Sequence, residues 1–294
     1  TLEYDKRGGW YEDVYDTYEI EREEVWLPQS PEDPRLHRKP SIGRPNVKRM
    51  LLAQKAYSEG GLALCVYCAY LLDIASNDSQ NKFNRDELMA MVNVLSPIVK
   101  SWCTEWSMKS CRLSMNIFEG MGVVSNNMVE KFYRECRIHA ASGLSNDLHG
   151  FDLLTNKISS RSGSAYQSIQ ACVREDIEKA RLQAADVLGG YADSVEKALE
   201  LHTRTTHTLM EQSKDQPSAV LLAHSDEYMA FTGHVLVGWM WLRQGTIAQA
   251  ALDSNNDLTD SDKNFYFGKI SALDYFSNVE LVKTLSQAEL LISN

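Results

Sequence analysis

The sequence contains few residues that break helices beyond its first 45 positions. It has seven prolines, and only Pro97 and Pro217 lie after residue 45. Segments that alternate polar and apolar residues, as half-buried strands do, are also missing. Because proline disrupts the interior of a helix and the period of a strand is absent, we predict that the chain is nearly all α-helix.

The sequence also lacks an excess of basic residues and any long apolar run. Lysine and arginine total 30 against 40 aspartates and glutamates, which gives a net charge of −10. This balance argues against a nucleic acid or an anionic membrane surface as the main partner. No stretch approaches the roughly 18 uninterrupted apolar residues of a transmembrane helix, so we predict no transmembrane segment.

Little in the sequence is typical of a metal site. The six cysteines include one C-x-x-C, formed by Cys65 and Cys68, but no second pair follows it. We interpret the cysteines as buried thiols in a reducing compartment rather than as zinc ligands or a redox centre. His202 and His207 are five positions apart and do not share a helix face. We therefore predict no metal ligands.

The first 43 residues differ in composition from the rest of the chain. Residues 8–26 combine acidic and aromatic side chains, and we predict a short helix there. Residues 27–43 are rich in proline, which predicts a connector without regular structure.

Long helices are predicted from residue 44 onwards. Pro45 suits the first turn of a helix, and Asn84 is a good N-cap for the next one. Gly60 and Gly61 are predicted to allow another helix to approach closely. The predicted helices in this part of the chain are 45–76, 84–118, 127–138 and 145–158.

The second half of the chain is predicted to form another bundle of antiparallel helices. Residues 165–212 are predicted to be helical with a break at Gly189–Gly190. Pro217 is predicted to begin the next helix, and residues 263–292 to form the last one. The helix after Pro217 carries an apolar stripe that we interpret as core or as a helix–helix interface: Tyr228, Phe231, Val235, Trp239 and Leu242.

Three segments, in order, resemble the C-terminal helical half of acyl-CoA dehydrogenases. RPNVKRMLLAQKAYSEGG, which begins at Arg44, is similar to the family helix that reads His-Pro-Asp-Val-Arg-Arg-Met-Leu. LMAMVNVLSPIVKSW, at 88–102, is similar to the helix with Leu-Leu-Thr-Pro-Ile-x-Lys. An F-x-G-x-G turn and an R-x-x-R-I sequence follow. Residues 230–252 and 265–291 resemble the extra C-terminal bundle of the longer family members.

The resemblance implies an all-α fold in three parts. Residues 1–43 would be the short helix and proline-rich connector. Residues 44–158 would form the four-helix bundle of the acyl-CoA dehydrogenase C-terminal type, and residues 159–294 a second antiparallel helical bundle.

The turn that contacts the flavin in this family is altered here. Active members have Phe-Gly-Gly-x-Gly, in which glycine lets the backbone approach the cofactor, whereas this chain has Glu119 in place of the first glycine. The other interpretation is that the remaining glycines only make a tight turn between helices. The positions that the resemblance assigns to flavin binding are Asn116, Phe118, Gly120, Gly122 and Ser145.

The catalytic base of the family is replaced as well. The position of the family glutamate falls on Gly143, and the tyrosine before it on Ser142. A dehydrogenase of this type needs a carboxylate to remove the α-proton while the flavin accepts the hydride. The resemblance therefore assigns no catalytic residue, with Asp147, one helical turn later, as an alternative base.

These substitutions predict a catalytically inactive acyl-CoA dehydrogenase-like protein. Its expected role is that of a structural or accessory subunit, without a cofactor, in a larger mitochondrial assembly. The expected partners are paralogous acyl-CoA dehydrogenase-like chains or a larger complex, because family members associate through these helices. The alternative is a fragment, or the non-catalytic half, of a heteromeric FAD-dependent acyl-CoA dehydrogenase.

Overall fold

The computed structural model is helical, which confirms the all-α fold class. The described residues are 23–25, 38–77, 83–119, 122, 128–141, 146–213, 222–254 and 258–293. The helices in this part of the chain are α1 (Pro45–Ser76), α2 (Arg85–Phe118), α3 (Met128–Ala141), α4 (Asn146–Asp152), α5 (Ser164–Gln212), α6 (Ser225–Ser254), α7 (Asp260–Tyr275) and α8 (Thr284–Ser293).

The N-terminal predictions need a correction. Two short strands, β1 (Glu23–Val25) and β2 (Arg38–Pro40), pair in antiparallel register, and Ser41–Gly43 forms a 3-10 turn. The helix predicted over 8–26 therefore does not include 23–25, and the predicted connector has regular structure at 38–43. Pro40 is compatible with pairing because both strands of a two-stranded sheet are edge strands. The other residues of both predictions lie outside the described residues.

The predicted signals at the starts of α1 and α2 are confirmed. Pro45 occupies the first turn of α1, where its missing N–H costs no hydrogen bond. The Asn84 side chain accepts a hydrogen bond from the Glu87 backbone, and the Glu87 carboxylate accepts one from the Asn84 backbone, each over 2.9 Å. This reciprocal cap fixes the start of α2, which continues past Pro97 to Phe118.

Helix α5 deviates from regular geometry at a different residue from the one predicted. Its backbone is non-helical at Ala184, with φ −154° and ψ 65°, and it continues through Gly189–Gly190. The two glycines reduce helix propensity but leave the hydrogen-bond ladder intact. The change of direction at Ala184 lets both halves of this 49-residue helix pack on one core.

A single large apolar core joins the first and second predicted bundles. It includes Leu64 of α1, Ile98 of α2, Val173 of α5 and Leu273 of α7. The stripe on α6 lies fully inside it, which confirms the interpretation of those residues as core. Residues on both sides of position 158 belong to one core. The predicted division of the chain at this position therefore stays a prediction from the family resemblance.

The close approach predicted at Gly60 is also confirmed. A Cβ atom at this position would lie 2.6 Å from the indole nitrogen of Trp241 on α6, well inside contact distance. That indole donates a hydrogen bond of 2.9 Å to the backbone oxygen of Ala56. Because residue 60 is glycine, the backbone of α1 can contact the indole ring of Trp241 on α6.

One helix of the described residues, α1, is long and apolar enough to cross a membrane by length and composition. The sequence has no uninterrupted apolar run here, because polar residues interrupt α1. The mean hydropathy of the helix is nevertheless high. One face of α1, which includes Leu64 and Leu71, packs in the core. Core helices pass the same test, so the finding is weak evidence for a membrane span.

Candidate functional site

The turn after α2 has a backbone conformation that glycine normally adopts. Glu119 ends the helix with φ 51° and ψ −128°, and it is the only non-glycine residue of the described part with positive φ. A side chain in this region of φ/ψ space costs on the order of 1–3 kcal/mol. The carboxylate lies 3.7 Å from the Arg44 guanidinium at the start of α1. Glu119 therefore adopts a backbone conformation that favours glycine, the residue that the family resemblance places at this position.

Of the residues predicted to bind flavin, the three that the structure describes do not line one common cavity. Phe118 is buried in a small apolar cluster with Val47 and Met50, so its role is packing. Asn116 lies exposed on the last turn of α2. A Cβ atom at Gly122 would lie 2.7 Å from the Met115 backbone oxygen. This contact supports the interpretation of Gly122 as part of a tight turn. Gly120, Gly143 and Ser145 lie outside the described residues.

An open cleft lies beside this turn. It has a volume of about 530 Å³ and is lined by Arg112, Met115, Asn116, Glu119 and Tyr133, which we call the turn cleft. Its two charged side chains, Arg112 and Glu119, have opposite signs. The carboxylate of Glu119 lies where a phosphate group would need access to backbone N–H groups.

A second cleft lies between α2, α4 and the start of α6. We call it the tryptophan cleft, and its volume is about 410 Å³. The residues that line it are Ser101, Trp102, Glu105, Trp106, Lys109, Arg137, Asn146, Asp147, Asp226, Glu227, Met229 and Ala230. Four carboxylates and two cations give this cleft a net negative charge.

Hydrogen bonds fix the wall of the tryptophan cleft that α4 provides. Ser101 donates to the Asn146 side-chain oxygen over 2.7 Å, and the Asn146 amide donates to Glu105 over 2.9 Å. Ser225, at the start of α6, donates to the backbone oxygen of Asp147 over 2.7 Å. These contacts hold the first turn of α4, which follows the position that the resemblance assigns to the family base, against α2 and α6.

The floor of the tryptophan cleft is aromatic. Trp102 and Trp106 stack with ring centroids 4.6 Å apart. The Lys109 ammonium lies 3.5 Å from the centroid of the Trp106 ring, a cation–π geometry. Burial, together with the positive charge of Lys283, lowers the pKa of Lys109. Lys109 thus occupies the aromatic face that a cationic ligand would otherwise contact.

A buried carboxylate lies behind this floor. Glu280 accepts hydrogen bonds from Tyr57, Tyr275 and Lys283 over 2.8, 3.1 and 2.6 Å. His234, whose Nε2 lies 3.7 Å from Glu280, packs edge-on against Trp106. Burial alone would raise the pKa of Glu280, but His234, Lys283 and Tyr57 stabilise its charge and lower the pKa to about 2.

Comparison with known proteins shows which proteins this sequence resembles. Residues 166–294 match the family described as Acetyl-CoA dehydrogenase C-terminal like. Over 247 residues the chain is 28% identical to the 3-methylmercaptopropionyl-CoA dehydrogenase of Ruegeria pomeroyi. These matches support membership of the acyl-CoA dehydrogenase family.

The similarity to acyl-CoA dehydrogenases extends over most of the chain but over less than half of its relatives. The alignment with the Ruegeria protein covers 83% of this chain and 40% of that relative. The broad-specificity linear acyl-CoA dehydrogenase FadE5 of Mycobacterium tuberculosis is 24% identical over 84% of the chain and 41% of its own length. The butyryl-CoA dehydrogenase of Syntrophomonas wolfei is 22% identical, with 80% and 38% covered.

The flavin implied by acyl-CoA dehydrogenase ancestry does not fit the described part of the turn. Glu119 places a side chain and a negative charge where the family resemblance implies close backbone contact with the cofactor, and Phe118 is buried in packing. We therefore derive no reaction step through a flavin. Among the described residues, no group of three His, Cys, Asp or Glu side chains is placed to hold a metal ion.

Two features of the tryptophan cleft and its surroundings were not predicted from the sequence. Trp102 and Trp106 are four residues apart, with Lys109 three further on, so they share one helix face. That spacing was a local signal for the aromatic floor. The contact of Glu280 with Tyr57 had no such signal, because the two residues are 223 positions apart.

Proposed function

We propose that this chain is a catalytically inactive member of the acyl-CoA dehydrogenase family that acts as a structural or accessory subunit. Two substitutions support inactivity. Gly143 supplies no carboxylate at the base position, and Glu119 obstructs the turn that the resemblance assigns to the flavin. The net negative charge of the tryptophan cleft also supports inactivity, because its carboxylates would repel the phosphates of a coenzyme A thioester.

The observation that carries the subunit role is an exposed apolar stripe on α1. Leu62, Val66 and Tyr70 are 50%, 59% and 55% exposed and recur at intervals of four residues. They therefore lie on one face, opposite the face that packs in the core. Contiguous exposed apolar surface of this kind marks sites of protein association. We propose that a paralogous acyl-CoA dehydrogenase-like chain covers the stripe.

Substitution on the stripe tests the subunit role. We expect Val66→Glu to release the partner chains that copurify with the native protein, as measured by quantitative mass spectrometry of the purified assembly. The matched control is Leu182→Glu on α5, whose side chain is 86% exposed outside the stripe. Loss of the partners from both variants, or from neither, would contradict an assembly role for α1.

The absorbance spectrum of the native assembly tests inactivity. We expect no stoichiometric flavin bands, and no bleaching when acyl-CoA is added. If flavin is present, the absorbance of the separated native subunits identifies which chain holds it. Stoichiometric flavin bound to this chain that bleaches with substrate would overturn the proposal.

The second candidate is one part of a heteromeric FAD-dependent acyl-CoA dehydrogenase. It is favoured by the printed names of the relatives, all of which are dehydrogenases more than twice as long as the matched region. Asp147, whose backbone is held by Ser225 in the wall of the tryptophan cleft, would then be the base to test. For an assembly that bleaches with substrate, Asp147→Asn should abolish bleaching if this residue is the base.

We further propose a mitochondrial location, on the family resemblance alone. Fractionation of source cells, with immunodetection of this chain beside matrix and cytosolic markers, tests it. Recovery of the chain with the cytosolic marker would contradict it.

A further inference from the structure

Two cysteines face each other across the seam between α2 and α3. The Sγ atoms of Cys111 and Cys136 lie 3.7 Å apart, in direct contact, and both side chains are half-buried. The 24 residues between them include the turn at Glu119 and Gly122. This pair therefore spans the two helices that enclose the altered turn, and neither the proposed function nor the family resemblance gives it a role.

We propose that Cys111 and Cys136 are a site of reversible oxidative modification, at which a low-molecular-weight disulfide such as oxidised glutathione converts the two thiols into an intramolecular disulfide. A thiolate of the protein attacks one sulfur of oxidised glutathione and expels a glutathione thiolate. The second cysteine then attacks the mixed disulfide, forms the intramolecular bond and expels the second glutathione. Two protein thiols are oxidised, and one glutathione disulfide is reduced to two thiols.

The environment of the pair assigns the order of attack. A hydrogen bond from Cys111 stabilises the Cys136 thiolate and, against the effect of burial, lowers the pKa of Cys136. The same hydrogen bond, with burial, raises the pKa of Cys111. Cys136 is therefore the attacking thiolate near neutral pH, and Cys111 is the resolving thiol.

A second pair of thiols in the protein provides an internal comparison. The Sγ atoms of Cys65 and Cys103 lie 4.0 Å apart between α1 and α2. Cys103 also directs its thiol toward the backbone oxygen of Gly61, over 3.8 Å. A Cβ atom at Gly61 would lie 3.2 Å from this sulfur, so the seam is closely packed. The sulfurs of this pair lie farther apart than the 3.7 Å between Cys111 and Cys136, and Cys103 already contacts Gly61, so we assign the modification to Cys111 and Cys136 only.

Peptide mapping of the native full chain tests the assignment. The protein is incubated with oxidised glutathione without denaturant, quenched in acid, alkylated and digested for mass spectrometry. We expect one cross-linked species that joins the peptides of Cys111 and Cys136, with a mass lower by two hydrogens, about 2 Da. The other four of the six cysteines should be alkylated, and dithiothreitol should restore all six.

Single variants test the order of attack. Cys111→Ser should leave Cys136 as a stable mixed disulfide with glutathione, whereas Cys136→Ser should leave Cys111 largely reduced. Cys172→Ser is the control, and it should still form the cross-link. Any of three results in the wild-type protein overturns the proposal: no cross-link, a cross-link between other cysteines, or a mixed disulfide at Cys136 that is not resolved. These results do not depend on the folding of a variant.

Discussion

Tyr57 donates its phenolic hydrogen to the carboxylate of Glu280 over 2.8 Å, and the two residues are 223 positions apart. Tyr57 belongs to α1, and Glu280 to the π-helical turn Phe276–Glu280 that follows α7. Glu280 is buried and receives three hydrogen bonds in addition to the nearby His234 ring. This contact ties the first long helix to the last segment of the chain through a charged group inside the core.

Removal of this carboxylate should destabilise the fold strongly. Glu280→Ala leaves two tyrosine hydroxyls without a buried acceptor, so we expect the free energy of unfolding to fall by about 3–5 kcal/mol. Urea unfolding followed by circular dichroism measures it. The matched control is Glu178→Ala, whose side chain is 63% exposed beside Arg181 and should cost no more than about 1 kcal/mol. Equal effects of the two substitutions would contradict a structural role for Glu280.

Two glycines in helices should respond to alanine in opposite directions. Gly60→Ala gains helix propensity but forces a Cβ to within 2.6 Å of buried Trp241, so we expect a net loss of about 1–3 kcal/mol. Gly190→Ala meets nothing within 4 Å and should stabilise α5 by about 0.5–1 kcal/mol. Thermal and urea unfolding of both variants measure the difference. A stabilised Gly60→Ala protein would show that α1 and α6 do not pack as described.

Restoration of glycine at position 119 should relieve backbone strain. With φ 51° at this residue, Glu119→Gly removes a cost on the order of 1–3 kcal/mol and loses a partly exposed contact with Arg44. We expect a net gain in the free energy of unfolding of about 1 kcal/mol. Glu119→Ala is the control, because it loses the same carboxylate but keeps a Cβ. Equal stability of the two variants would show that the strain is absent.

His202 should make the stability of the protein depend on pH. It is buried between Tyr166 and Thr232, and burial lowers its pKa from 6.5 to about 3. The unfolded state then binds a proton, below about pH 6.5, that the folded state excludes down to about pH 3. The contribution of neutral His202 to the free energy of unfolding is fully present above about pH 6.5 and is lost as the pH falls. We expect a loss of about 2 kcal/mol between about pH 7 and about pH 5.

Urea unfolding at these two pH values checks the expectation. His202→Gln should reduce the pH dependence, even if its stability at neutral pH is lower. His207→Gln is the control, since His207 is 74% exposed and should leave the dependence unchanged. The same pH dependence in all three proteins would assign the effect to other groups.

Much of the helical structure could be predicted from the sequence because its signals are local. Pro45, Asn84 and the stripe on α6 mark helix starts and a buried face within a few residues of chain, and the structure confirms each. The substitutions that the family resemblance implies at Glu119 and Gly143 stay predictions. The kink at Ala184 could not be predicted, because it depends on where the two halves of α5 meet the core.

The sequence by itself determined a chain of amphipathic helices, since helix periodicity is a property of short segments. Only the tertiary structure decided which faces meet. It placed Glu280 against Tyr57 and Cys136 against Cys111, and it set the tryptophan floor beside the first turn of α4. Such pairings depend on how packed helices fill space around one core, which no short segment of the chain specifies.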